Sequence, residues 1–409
     1  MKWANKGNEF ARYRHALDGR TNIYLYGAGI LGLEVAEILE RCAAWLPWNA
    51  SFVDNDPEKL AAGRVASLPV IAHAALARVD RRKSFVVVCG RESNMVWMIE
   101  ALDVMGFEFG KNVFTHDFFA LKLLPLYFFR HHNMVYFSSL STLPTTRCNL
   151  NCRGCLNFNP YLRTHATYDI AAMRDSLDAL FGVVDLIFRF QITGGEPFLY
   201  PGLGDLANLI GENYAERIVK FEVVTNGTVL PTDEMCATFK NNKVRVILDD
   251  YRNSLEGHDG RYREILERLL DRGVSVQENR VDAWFDLAPE TTDHSACRPE
   301  QLETRFDRCG CPYASLENKR ISSCNYAWYA CKAGLVEYIP GEYFDLTGVT
   351  DESRAELVEF RMGFSEKGYV EFCKRCAGYR RINHGVIDVA VQMPRKRNEH
   401  GGEEGKPPR

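Results

Sequence analysis

The chain alternates short, nearly continuous apolar runs with longer stretches in which apolar residues recur every three or four positions. The first kind reads as strands buried on both faces, the second as amphipathic helices that cover them. An opening run at 22–26 passes through Gly27-Ala28-Gly29-Ile30-Leu31-Gly32 into a helical pattern over 33–41. Strands are predicted at 50–53, 85–89 and 113–114, with a helix over 94–105. Residues 1–118 therefore predict a small doubly wound α/β domain centred on 20–118. The aromatic, apolar stretch 119–133 is predicted as a linker, and its His131 and His132 are expected to be solvated or at an interface.

The strand–helix unit then repeats. Strands at 134–140, 186–192, 219–224, 243–248 and 274–278 interleave with helices over 169–181, 203–213, 232–240 and 261–272. Consecutive parallel strands with crossover helices bury both sheet faces, which accounts for their continuous apolar runs. This second domain is bounded at 134–290. A cysteine-rich third domain follows at 291–392, with a hairpin strand at 321–323 and a helical stretch over 353–364. The polar segment 393–409 is expected to be a disordered tail.

Composition narrows the setting. With 409 residues, 46% apolar and 25% charged, the chain has ordinary globular composition and length for two or three domains. A net charge of −4 gives no reason to expect nucleic acid or an anionic membrane as partner. The first residues lack an apolar signal-peptide core, and the longest apolar stretch, 118–129, contains Lys122 and Pro125 and is too short to span a bilayer. A cytoplasmic protein is expected. Thirteen cysteines in a reducing compartment point to metal rather than disulfides.

The densest chemistry is the run Thr-Thr-Arg-Cys148-Asn-Leu-Asn-Cys152-Arg-Gly-Cys155. Its C-x3-C-x2-C spacing puts three thiolates on one loop, enough for three corners of a cubane iron–sulfur cluster and leaving one iron open. A structural zinc site with a distant fourth ligand is the alternative. About forty residues on, Gly194-Gly195-Glu196-Pro197 follows the strand at 186–192. Two glycines there allow close backbone approach to a ligand, and Glu196 offers a carboxylate suited to an amine.

These two motifs, each after a strand and in this order, resemble the radical S-adenosylmethionine (SAM) enzymes. The resemblance implies an α/β fold with a partial (β/α)6 TIM-type barrel over the second domain. It implies a 4Fe–4S cluster on Cys148, Cys152 and Cys155, whose open iron chelates SAM while Gly194–Pro197 cradles the SAM amine. One position departs from the family: an aromatic usually precedes the third cysteine, and here it is Gly154. Phe158 is a candidate replacement as adenine platform. At the C-terminal ends of the strands, Thr225 and Asn226 are candidates for the SAM ribose or a plain turn. Asp249, Tyr251, Trp284 and Asp286 are candidates to face substrate.

The third domain resembles the shortened auxiliary-cluster (SPASM/twitch-like) domains that follow many radical SAM barrels. That implies a second 4Fe–4S cluster on Cys311, Cys324, Cys373 and Cys376, with Cys309 as the alternative to Cys311 on the same strand face. A zinc ribbon is the competing reading. Cys42, Cys89, Cys236, Cys297 and Cys331 are expected as small buried hydrophobes.

In the first domain, Gly27, Gly29 and Gly32 form G-x-G-x-x-G between strand and helix, and Asp54 stands near the usual place of a ribose-binding acid. The runs at 52–59 and 68–71 also resemble small Rossmann-like domains on sugar-modifying enzymes. A nucleotide or nucleotide-sugar, NAD, or no ligand at all are the readings left open for this domain. The expected function is radical hydrogen abstraction from a small molecule such as a sugar or nucleotide-sugar, with a reductant such as flavodoxin or ferredoxin. The alternatives are a peptide-modifying radical SAM maturase and a non-catalytic iron–sulfur/NAD electron-transfer protein.

Overall fold

The computed structural model describes residues 11, 13, 15–363, 367–379 and 382–394. Most of the expected tail, 395–409, and the first ten residues lie outside that set. Two sheets organise the rest. The first has six strands: β1 (Asn22–Tyr26), β2 (Asn49–Val53), β3 (Arg64–Val65), β4 (Leu68–Ile71), β5 (Ser84–Val88) and β6 (Val113–Thr115). Their order is β3-β4-β2-β1-β5-β6, parallel except for the β3–β4 pair. Helix α1 (Ile30–Arg41) follows β1, and α2 (Glu92–Val104) follows β5. The chain winds outward on one side from β1 to β2 and on the other from β1 to β5, so the crevice between β1 and β5 is a topological switch point.

No extended linker follows. Residues 119–132 are helical throughout, a π-turn at Phe119–Leu123 running into α3 (Leu124–His132). Pro125 sits in the first turn of α3, where its missing N–H costs nothing. His131 bonds to Asp18 and His132 to the carbonyl of Trp45, so both fasten the helix to the N-terminal unit.

The second sheet has eight strands. Five parallel ones, β7 (Tyr136–Thr142), β8 (Leu186–Ile192), β9 (Ile218–Thr225), β10 (Arg245–Asp249) and β11 (Ser275–Asn279), lie in sequence order. Helices α4 (Ile170–Phe181), α5 (Leu203–Tyr214), α6 (Asp233–Asn241) and α7 (Asp259–Asp271) make the crossovers. A short strand β12 (Ala283–Phe285) follows outside this sheet. A sixth parallel strand, β13 (Ser315–Glu317), comes from the third segment and pairs with β7, at the far edge from β11. It continues as a hairpin with β14 (Arg320–Ser322), which pairs with β15 (Tyr343–Asp345). The partial barrel is therefore closed on one side by the cysteine-rich segment.

That segment also carries α8 (Pro299–Cys309), α9 (Asn325–Lys332) and α10 (Arg354–Arg361). A last strand, β16 (Val386–Asp388), returns to pair with β12. No helix among the described residues is long and apolar enough to cross a membrane.

Candidate active site

Cys148, Cys152 and Cys155 lie on the loop after β7, and Gly194–Pro197 on the loop after β8. The two loops lie backbone against backbone: Gly195 N donates to Thr145 O at 3.0 Å and Glu196 N to Arg147 O at 2.7 Å. A Cβ on Gly194 would lie 2.4 Å from Thr145 O, and one on Gly195 2.0 Å from Arg147 O. Both glycines are thus required by the neighbouring loop. The close approach expected toward a ligand is made to the cysteine loop instead.

Glu196 is tied into the fold. It is fully buried, and its carboxylate accepts from Phe198 N at 2.9 Å, Thr225 Oγ1 at 2.8 Å and Asn226 N at 2.8 Å. Burial pushes its pKa up to about 7 against the pull of those three bonds. It brackets the ends of β8 and β9. Thr225 and Asn226 belong to this bracket, and Asn226 Nδ2 reaches Cys148 Sγ at 3.7 Å and Asn149 Oδ1 at 3.1 Å.

Burial pushes the Cys148 thiol up to about 12 and Cys152 to about 11, and raises Cys155 as well. Cys152 and Cys155 also act on Cys148, so the three sulfurs face one region. Thiolates there call for positive charge close by, which a cluster's irons supply. N–H donors already point at the sulfurs: Leu150 N at 3.4 Å from Cys148 and Gln392 Nε2 at 3.2 Å from Cys152. Among the described residues no three His, Cys, Asp or Glu side chains are arranged to hold one metal ion. A cubane, with a thiolate on each of several corners, is the group this donor set fits.

The discordant Gly154 has a physical reason. A Cβ there would lie 2.8 Å from Ile387 of β16 and 3.4 Å from Trp284 of β12. The strand pair fills the space that the family gives to an aromatic. Phe158 does not replace it: it is 3% exposed and packs edge-on against Phe372 in the third segment's core. The residues beyond β16 run along the cysteine loop, Met393 at the start of the expected tail among them. Arg153 N donates to Val391 O, and Met393 N to Asn151 O, each at 2.8 Å. Sequence reasoning missed this contact.

Of the other candidates, Asp249 is held by Tyr251 OH at 2.8 Å and Asn279 Nδ2 at 2.7 Å, and burial raises its pKa to about 6. Tyr251 packs edge-on against Trp284 beside the cysteine loop. Asp286 caps a turn through Ala288 N.

In the third segment five cysteines, 309, 311, 324, 373 and 376, line one small cavity of about 90 Å³. Burial raises Cys373 and Cys376, and Cys324 and Cys309 are the cysteines that add most to both. Cys311 instead hydrogen-bonds to Cys324. Cys309 ends α8 at the left-handed Gly310, not on a strand as expected, and this turn carries it to the Cys373–Cys376 side. Cys42, Cys89 and Cys236 are buried as expected, while Cys297 and Cys331 are half-exposed.

Residues 142–278 match the family model of the radical SAM superfamily. The chain carries a radical SAM domain. Proteins with such a domain use SAM and an iron–sulfur cluster. Solved structures similar to the chain are radical SAM proteins of low identity. SuiB of Streptococcus suis, bound to precursor peptide SuiA, is 16% identical over 47% of this chain and 39% of its own, at a TM-score of 0.30. BtrN in complex with AdoMet and 2-DOIA is 16% identical over 59% of this chain and 92% of its own, at 0.35. Native anSMEcpe with bound AdoMet is 13% identical over 59% and 89%, at 0.40. The chain spans about two fifths of the length of SuiB. No curated protein matches it.

Proposed function

We propose that the protein cleaves SAM reductively at a 4Fe–4S cluster on Cys148, Cys152 and Cys155 and takes a hydrogen atom from a small-molecule substrate. A cluster held there, reduced by a donor such as flavodoxin or ferredoxin, would supply the one electron that breaks the S–C5′ bond of SAM to give methionine and the 5′-deoxyadenosyl radical. The observation that carries the reading is the union of the two motif loops at the ends of β7 and β8, within the matched domain. Here the chain's own residues hold the reaction in place. Glu196 ties the loop after β8 to the end of β9, and Asn226 and Gln392 donate toward cluster sulfurs. Strand β16 covers the cysteine loop and limits its contact with water.

A second cluster fits Cys309, Cys324, Cys373 and Cys376, with Cys311 as the fifth thiol beside it. Its cavity shares Gly310 and Tyr379 with a much larger cavity against the barrel.

Anaerobic reconstitution tests this directly. The expected protein holds about eight irons and releases 5′-deoxyadenosine with SAM and dithionite. Cys148→Ala and Cys309→Ala should each keep about four irons, Cys311→Ala about eight, and only Cys148→Ala should abolish SAM cleavage outright. Zinc in place of iron, or full activity in Cys148→Ala, would sink the proposal.

A further inference from the structure

The small cavity among the five cysteines is lined by two buried polar side chains that the fold leaves unsatisfied. Arg361 of α10 is 9% exposed. Its guanidinium donates to Ser139 O at 2.8 Å and to Pro312 O at 2.7 Å, while its Nε has no hydrogen bond among the described residues. Ser323, 8% exposed and next to Cys324 in the chain, has a hydroxyl that also lacks a partner among them. Buried polar groups are rarely left so. Two donors on the wall of one cavity call for an acceptor inside it.

Arg361 makes the stronger demand because it carries charge. The two carbonyls that hold it are neutral, and the Phe137 ring, 5.6 Å away, adds only a modest cation–π attraction. A buried cation without a counter-charge is strongly unfavourable. The titratable group that acts on it is Cys311, which in turn hydrogen-bonds to Cys324. Lys122 and Arg305 line the same cavity, with Asp307 as the one acid beside them. The wall is therefore positive, and neutral thiols do not balance it. Thiolates on a metal centre do.

The form of that centre decides what the wall does to it. A cubane with four thiolates is a dianion when oxidised and a trianion when reduced. A nearby cation and hydrogen-bond donors therefore favour the reduced form, and the reduction potential rises.

We propose that Arg361 and Ser323 are positioning residues for the auxiliary cluster. Arg361 supplies its counter-charge and Ser323 a hydrogen-bond donor, and together they make it easier to reduce. The assignment rests on the second cluster proposed above and not on SAM cleavage at the first.

The test is an anaerobic redox titration of the reconstituted holoprotein, followed by electron paramagnetic resonance, with iron and zinc counted in each sample. It compares wild type with Arg361→Gln, Arg361→Lys and Ser323→Ala. Arg361→Gln should leave one one-electron couple in place and make the other harder to reduce by about tenfold, or about 59 mV. Arg361→Lys, which keeps the charge, should recover most of that shift; a role in packing alone would not be rescued this way. Ser323→Ala should move the same couple a few-fold in the same direction, and it decides the matter if the arginine variants do not fold. An unmoved couple at full iron content in Arg361→Gln or Ser323→Ala removes that residue from the role. Equal shifts in the glutamine and lysine variants overturn the counter-charge. About four irons in wild type, or zinc at the auxiliary cysteines, would defeat the second cluster and this inference with it. About eight irons with both couples unmoved in every variant would defeat this inference alone.

Discussion

A Cβ on Gly195 would sit 2.0 Å from the carbonyl oxygen of Arg147, and neither backbone can retreat without breaking Glu196 N to Arg147 O. Gly195→Ala should therefore part the two loops, cost about 1–3 kcal/mol and leave about four irons instead of eight. Thermal unfolding with an iron assay checks it; a full iron complement at wild-type Tm would contradict it. The motif itself is plain in the sequence, but its cause is not. Spacing shows that Gly194 and Gly195 end a strand, not which backbone presses on them. For the same reason the sequence does not show that Phe198, Thr225 and Asn226 share the Glu196 carboxylate. Three donors converge on it from two strand ends about thirty residues apart, and no local pattern records that. Gly154 is legible as an anomaly, and its explanation in Ile387 lies more than two hundred residues away.

Among elements, those with a strong period and a cap are the ones that sequence locates best. Helix α6 begins at Thr232, whose hydroxyl accepts from Met235 N, and α4 at Asp169, whose carboxylate accepts from Ala172 N. Helix α10 is harder to bound, because Leu357 to Arg361 are all buried and the polar face that would reveal it is missing. Glu359 on this helix is fully buried, and neither carboxylate oxygen has a hydrogen bond among the described residues. Burial pushes its pKa up to about 7 from an ordinary 4.5. The folded pKa thus lies above the unfolded one. Its contribution to stability is whole below about pH 4.5 and is lost as pH rises through 7. Glu359→Gln removes that loss, so the variant should gain more in Tm at pH 8 than at pH 5, by a few degrees. Equal shifts at both pH values would show that charge is not the cause.

At the scale of the whole molecule, three segments are visible in the sequence, yet the boundary between the first two does not behave as a linker. Residues 119–132 are rich in aromatics because they are interior. Trp48 packs on Tyr127 at 4.7 Å, and Phe128 stacks on Tyr136 of β7 at 4.5 Å. One apolar cluster runs from Ile23 and Phe85 through Phe119 and Phe128 to Leu186 and Phe188. The glycine-loop unit and the barrel therefore share a core, and a polar bond between Lys220 of β9 and Glu37 of α1 ties them again. A domain joined by a flexible linker would unfold by itself; one whose core continues into its neighbour should not. Calorimetry on the holoprotein should show the two units melting in one transition. Phe128→Ala, which removes a ring from the shared cluster at a cost of about 3–5 kcal/mol, should lower that transition as a whole. An N-terminal transition that moves while the barrel's stays put would mean that the shared cluster does not couple them.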